Sequence, residues 1–265
     1  MKKVLKILAI IIFIGSIVYL LIAANKEVEN QIMNKPVIHL KLQDEIPLIT
    51  ESEILGELYK YNLFTDETKK SDLKIKEIEK YLKHSNEVLT TQVYTGLTKD
   101  WYIDVKTKRP IARILSNKIS DFYIDNDFTF MRLSPYIKPR ILVFSGLDQL
   151  ITNDLSYSKI INNDSLKTKL MLDQIYRISK YVCNDTFYNA QIVQVHYSQE
   201  DGFLLVPRVG LQKIIFGFAE SEEIVEEKFK KLTTFYEKVI PYEGWGKYET
   251  INLKFKNQIV AKKKQ

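Results

Sequence analysis

The sequence predicts an α+β protein in three parts: an N-terminal transmembrane helix, a small β-α-α-β-β domain, and a mixed β domain with two longer helices and a terminal edge strand. Three observations predict it. Ile7 to Ala24 is an uncharged, largely apolar run of 18 residues, long enough to cross a bilayer core. Strand alternation and helical spacing then follow one another in the order β-α-α-β-β. The chain closes on a stretch, Thr250 to Val260, whose apolar and polar residues alternate.

The first element is charged asymmetrically. Lys2, Lys3 and Lys6 precede the apolar run, whereas Lys26, Glu27 and Glu29 follow it, so the positive-inside rule predicts a cytoplasmic segment at 1–6 and a span at 7–24. The run exceeds the ~7 to 15 residues of a signal-peptide core, and Ile22 stands where a cleavage site at Ala24 needs a small residue. An anchor is therefore expected, followed by a polar stem at 25–35.

Domain boundaries are expected at 36–108 and 109–261, with a basic tail at 262–265. In the first domain "PVIHLKL" reads as a strand. Thr50 and Glu53 stand in capping-box spacing ahead of Ile54, Leu55 and Leu58. A second helix, with Ser71 as its cap, carries Ile75, Ile78 and Leu82 on one face, and strands follow near Val88–Tyr94 and Trp101–Lys106, joined through Gly96.

The second domain starts with short strands in "RILSN", "DFYIDNDFTFMRL" and "RILVFSG", the middle one folded around Asp125, Asn126 and Asp127. A helix from Ser165 to Val182, capped by Asp164, presents Leu166, Leu170, Ile175, Ile178 and Val182. "YNAQIVQVHYS", "FLLVPRVG" and "QKIIFGF" read as an antiparallel meander. The helix from Ser221 to Val239 carries Val225, Phe229, Leu232, Tyr236 and Val239 at steps of four and three, and its Glu226/Lys230 and Glu227/Lys231 pairs read as a solvated face. Gly244-Trp245-Gly246 turns the chain into one last strand, with Ile251, Leu253, Phe255 and Ile259 on one side and Thr250, Asn252, Lys254, Lys256 and Gln258 on the other. Such a terminal strand offers unpaired backbone groups to a second chain.

Reaction chemistry has no recognisable motif here. G-x-S-x-G, H-E-x-x-H and P-loop patterns are absent, and His39, His84 and His196 are scattered. Asp125 and Asp127 lack the rest of a calcium loop and read as turn residues. Cys183 has no partner for a disulfide. The formal charge is +6, but the six lysines at positions 2, 3, 6, 262, 263 and 264 match that whole excess, so the body is neutral and a nucleic-acid reading loses its support. No enzyme, cofactor or metal site is expected, and binding of another protein is.

"RPIA" at Arg109–Ala112, "FYIDNDFTFMRLS", "LVPRVG", "EKFKKLTTFY" and "INLKFKNQIV", in this order behind the anchor, resemble the bacterial division family FtsQ/DivIB. The resemblance implies a POTRA domain at 36–108, the family's β domain at 109–261, and a non-catalytic scaffold of the division complex. It places the bulk of the chain outside the cytoplasmic membrane at the septum and implies FtsB-like and FtsL-like partners. Carried over by position, the partner contacts are Lys254, Phe255, Asn257 and Val260. Asn252, Lys254, Phe255 and Phe128 depart from the family's usual Asp, Arg, Tyr and Gly, and Lys254 lacks the bidentate fork of arginine. Parity puts Phe255 on the core side, whereas the resemblance makes it a contact. The rival readings are a membrane-anchored extracytoplasmic hydrolase, which needs clustered titratable groups, and a POTRA-bearing translocation component, which needs a membrane barrel.

Overall fold

The computed structural model describes residues 2–41, 48–96, 98–134, 138–152 and 155–264, with side chains from residue 10 onward. Met1, Leu42 and Gln265, which belong to the expected cytoplasmic segment, first strand and basic tail, lie outside the described residues. Helix α1 spans Lys2–Glu29, and its Ile10–Glu29 stretch has a mean hydropathy of 1.8 with no part of it buried. Apolar surface exposed on all sides is unfavourable in water, so the helix is consistent with a single-pass anchor. It also continues through Asn25–Glu29, the first half of the expected stem.

The rest divides into compact units, with the boundary between Thr107 and Lys108. In the first, β1 (Val37–Lys41) is followed by α2 (Glu51–Lys60), α3 (Ile75–Lys83), β2 (Val88–Thr95) and β3 (Trp101–Thr107). The sheet order is β1-β3-β2, with β3 parallel to β1 and antiparallel to β2. Thr50 Oγ1 accepts from the Glu53 N–H, and Glu53 Oε2 accepts from the Thr50 N–H, so α2 opens on the capping box its spacing predicts. Helix α3 does not start at Ser71. That residue lies in a 3-10 turn, and Leu73 then takes an extended backbone that sends its side chain, 8% exposed, into the core before the helix begins at Ile75. Ile54, Leu58, Ile78, Leu82, Trp101, Ile103 and Val105 form that core. The second half of the expected stem joins it: Met33 is buried, its N–H donates to Thr68 O, and Asn34 O accepts from the Trp101 indole.

The second unit runs β4 (Pro110–Ile114), β5 (Phe122–Asp125), β6 (Phe130–Arg132), β7 (Leu142–Ser145), α4 (Tyr157–Ile161), α5 (Asp164–Lys169), α6 (Leu172–Asn184), α7 (Thr186–Gln191) and β8 (Ile192–Ser198). It continues through β9 (Gly202–Pro207), β10 (Lys213–Gly217), α8 (Glu222–Lys238), α9 (Ile240–Glu243), β11 (Tyr248–Asn252) and β12 (Val260–Lys263). Among the described residues these strands form one nine-stranded sheet, ordered β12-β11-β10-β9-β8-β7-β4-β5-β6. The meander β8-β9-β10 is antiparallel as its sequence predicts. Ile175, Ile178 and Val182 of α6 and Val225, Phe229 and Leu232 of α8 pack with sheet residues Ile114, Phe144, Val195, Leu205, Phe216 and Ile251.

Four expectations in the second unit need correction. The helix read over Ser165–Val182 is broken into α5 and α6, because Leu170 and Leu172 are both buried and a continuous helix would turn them about 200° apart; Met171, at φ 58°, makes the break. Its cap is Asn163 rather than Asp164, the Asn163 side chain accepting from the Leu166 N–H. Tyr188–Gln191, read as strand, are helical in α7. Most importantly, Thr250–Val260 is not one strand but most of a hairpin: β11 ends at Asn252 and β12 begins at Val260.

The Asp125 turn follows its sequence reading. Buried Asp125 accepts hydrogen bonds from the N–H groups of Asp127 and Thr129, which uses its carboxylate to fold the β5–β6 hairpin. Phe128, at the position where the resembled family carries glycine, has φ 58°, and its ring packs on Phe130 and Tyr176. Those ring contacts help offset the backbone cost of a left-handed phenylalanine.

Candidate interaction site

Ser221 caps α8, its hydroxyl accepting from the Ile224 N–H at 3.3 Å. The helix connects β10 to its parallel neighbour β11, and β12 then folds back antiparallel along β11 at the edge of the sheet. Leu253, fully buried, extends the pairing by one bond from its N–H to Ile215 O. Beyond it the chain turns. The Asn252 side chain accepts from the Lys254 N–H at 2.9 Å, and Asn257 takes φ 57°, a left-handed conformation that asparagine tolerates better than most residues.

One lysine of α8 supports this turn and a second bonds to the chain just beyond β10. Lys231 Nζ donates to Leu253 O at 3.1 Å and to Phe255 O at 2.8 Å, and Lys228 Nζ donates to Phe218 O at 2.6 Å while lying 5.0 Å from the Phe216 ring centre. Lys254 reaches Asp201 at 3.3 Å, a carboxylate shared with Lys213 at 3.1 Å. The concavity between helix and hairpin measures about 470 Å³ and is lined by Phe218, Ile224, Lys228, Lys231, Lys254 and Lys256, with Glu220 and Glu227 at its acidic side. Burial lowers the Lys228 ammonium to about 8, and the charges of Lys231 and Lys254 push it the same way.

Gly217 makes this closeness possible. It has φ 76°, and a β-carbon there would stand 2.8 Å from Lys254 Cγ. Any side chain would force Lys254 away from the helix.

The structure brings Lys254, Phe255 and Asn257 into one exposed turn and puts Val260 at the first position of β12, opposite Asn252. Phe255 is 44% exposed and Val260 47%. Parity had placed Phe255 with the core. It lies outside because the turn interrupts the alternation.

On β12 the Lys264 N–H donates to Lys247 O. Donors alternate along a strand, so the N–H groups of Lys262 and Val260 also face β11, and those of Ala261 and Lys263 face outward. The β11–β12 irregularity falls between Tyr248 and Thr250, on the other strand, and leaves this alternation intact.

Sequence reasoning missed Lys228 and Lys231. The α8 charges were read as a solvated face, and Glu226/Lys230 and Glu227/Lys231 do pair at 2.6 and 3.4 Å, but only 14% of the Lys231 side chain is exposed. The available signal was spacing: Ile224, Lys228 and Lys231 follow at steps of four and three, bordering the apolar stripe.

The histidines stand apart. His39 faces Asp104, His84 bonds to Lys80 O, and His196 bonds to Ser145. Among the described residues no group of three potential metal-ligating side chains forms.

Residues 109–262 match the family model described as FtsQ/DivIB, C-terminal related. No curated protein matches the chain.

Proposed function

The chain belongs to the FtsQ/DivIB, C-terminal related, family, and from that premise we propose that it is a non-catalytic scaffold of the bacterial division complex, anchored in the cytoplasmic membrane by α1. In this reading the first unit is a POTRA domain, both units lie outside the membrane at the septum, and the terminal hairpin binds an FtsB-like protein that arrives together with an FtsL-like one. The observation that carries it is the edge position of β12 among the described strands, with the N–H groups of Ala261 and Lys263 facing outward and Val260 and Phe255 exposed in the same hairpin. A partner strand would add to this edge through main-chain hydrogen bonds, with side chains at the turn giving specificity. Lys254, Phe255, Asn257 and Val260 are the proposed contacts. An acidic partner residue would fit the lysine-lined concavity beside them.

The test is co-purification of the full chain, in detergent, with FtsB-like and FtsL-like proteins of the same organism. Removing Val260–Gln265 should abolish it while the rest of the chain stays folded. Retention of both partners by the truncated chain would sink the hairpin assignment.

A further inference from the structure

We infer that the second unit carries a separate phosphate-ester site between β7, α7 and the end of β9, built on Arg140 and Arg208. The chain has the dipeptide Pro-Arg at 139–140 and 207–208. Both arginines line one concavity of about 290 Å³, with Thr186, Asn189 and Ala190 between them. Their backbones are held in place. The Arg208 N–H donates to Gln191 O, the Gln191 side chain donates to Val209 O, and the Ile141 N–H turns back to Pro139 O.

The electrostatics ask for an anion. Arg113 and Arg177 each meet a carboxylate, Asp121 and Asp173, at 2.9 and 3.1 Å. Among the described residues Arg140 and Arg208 form no such pair, and none of those lining their concavity is acidic. Both arginines are exposed and line the same concavity, so an anion seated there would meet positive charge from each.

Donor count favours phosphate over carboxylate. Two guanidinium forks, the Thr186 hydroxyl and the Asn189 carboxamide can supply more N–H and O–H donors than a planar two-oxygen group can face. A tetrahedral phosphate has oxygens on several sides, and the volume leaves room for an ester substituent. The group could be carried by a lipid headgroup or by a soluble phosphate polymer. This site lies apart from the terminal hairpin, so its fate and that of the partner reading are independent.

Calorimetric titration of the full chain in detergent with inorganic phosphate, at constant ionic strength, tests it. Saturable binding is expected, and Arg140→Gln and Arg208→Gln should each weaken it about tenfold or more, the scale of a lost charge-assisted bond. Arg132→Gln, on β6, should leave it unchanged, and all three variants should melt as the parent does. Tighter binding to glycerol-phosphate oligomers would assign a soluble polymer, and tighter binding to nanodiscs containing phosphatidylglycerol than to phosphatidylcholine ones would assign a headgroup. The inference is overturned if phosphate does not saturate, if the variant carrying both Arg140→Gln and Arg208→Gln binds like the parent, or if an acidic peptide displaces phosphate at equal concentration.

Discussion

At the scale of single residues, Lys228 is a cation held where water reaches it poorly. Burial, reinforced by Lys231 and Lys254, lowers its ammonium from the ordinary 10.5 to about 8, against the opposing pull of Glu220 and Glu227. The unfolded chain keeps this proton to a higher pH than the folded chain does, so stability rises with pH between about 8 and 10.5, and below 8 the cost is fully present. Lys228→Met should therefore stabilise the unit near neutral pH by up to roughly 1 kcal/mol, a figure reduced for partial solvent screening. Denaturant melts at pH 7 and 9.5 should show this advantage shrinking at the higher pH. An advantage that grows with pH would contradict the assignment. Neighbouring turn residues separate core from contact in the same way. Leu253→Ala should cost about 2 to 5 kcal/mol, whereas Phe255→Ala should change stability by about 0.5 kcal/mol or less and weaken partner co-purification. The sequence made Lys254 and Phe255 visible through a family pattern, but Lys228 and Lys231 were hidden because a helix surface rich in both charges looks solvated until the strand packed beside it is known.

Among the elements, α2 and α8 were legible because their signals are local: Thr50 with Glu53, and Ser221 ahead of an apolar stripe, each act within one turn of helix. The terminal hairpin was not. Leu253 and Ile259, at either end of the turn, share one sequence parity and both pack toward the core, so the alternation in the sequence gives no sign that Phe255 between them is exposed, and the turn contains no glycine, its left-handed residue being Asn257. The broken α5–α6 helix was missed for the same reason, with Met171 in place of glycine. The hairpin register now makes the edge testable. Proline at Lys262 deletes an N–H that faces β11 and crowds that strand, whereas proline at Ala261 deletes one that faces outward. Lys262→Pro should destabilise the unit by about 1 kcal/mol or more. Ala261→Pro should leave folding nearly unchanged and reduce FtsB-like partner recovery. Equal partner recovery from Ala261→Pro and the parent, with both folded, would remove β12 as the docking strand.

For the whole molecule, the β-α-α-β-β order and the β8-β9-β10 meander were legible from periodicity, whereas the parallel pairs β4–β7, β7–β8 and β10–β11 were not, because apolar alternation does not encode strand direction. The join between anchor and first unit was harder to read because Gln31–Lys35 is mostly polar, and what ties it down is long-range. Met33 is 3% exposed, Ile32 bridges to Lys69, and the Asn34 carboxamide donates to Asp100 at 2.8 Å. A soluble fragment that starts at Lys35 therefore loses a buried side chain and the acceptor of the Trp101 indole, whereas one that starts at Asn30 keeps both. The missing Met33 leaves a cavity worth about 2 to 5 kcal/mol, a large share of what a domain of this size holds. Each unit carries one tryptophan, Trp101 in the first and Trp245 in the second, so Trp245→Phe makes fluorescence report the first unit and Trp101→Phe the second. In denaturant, the Lys35–Gln265 fragment should show the Trp101 transition moved to markedly lower concentration than in Asn30–Gln265, while the Trp245 transition stays in place. Identical Trp101 transitions in the two fragments would mean that Met33 contributes nothing to the core it fills, and equal shifts of both tryptophans would mean that the units unfold together.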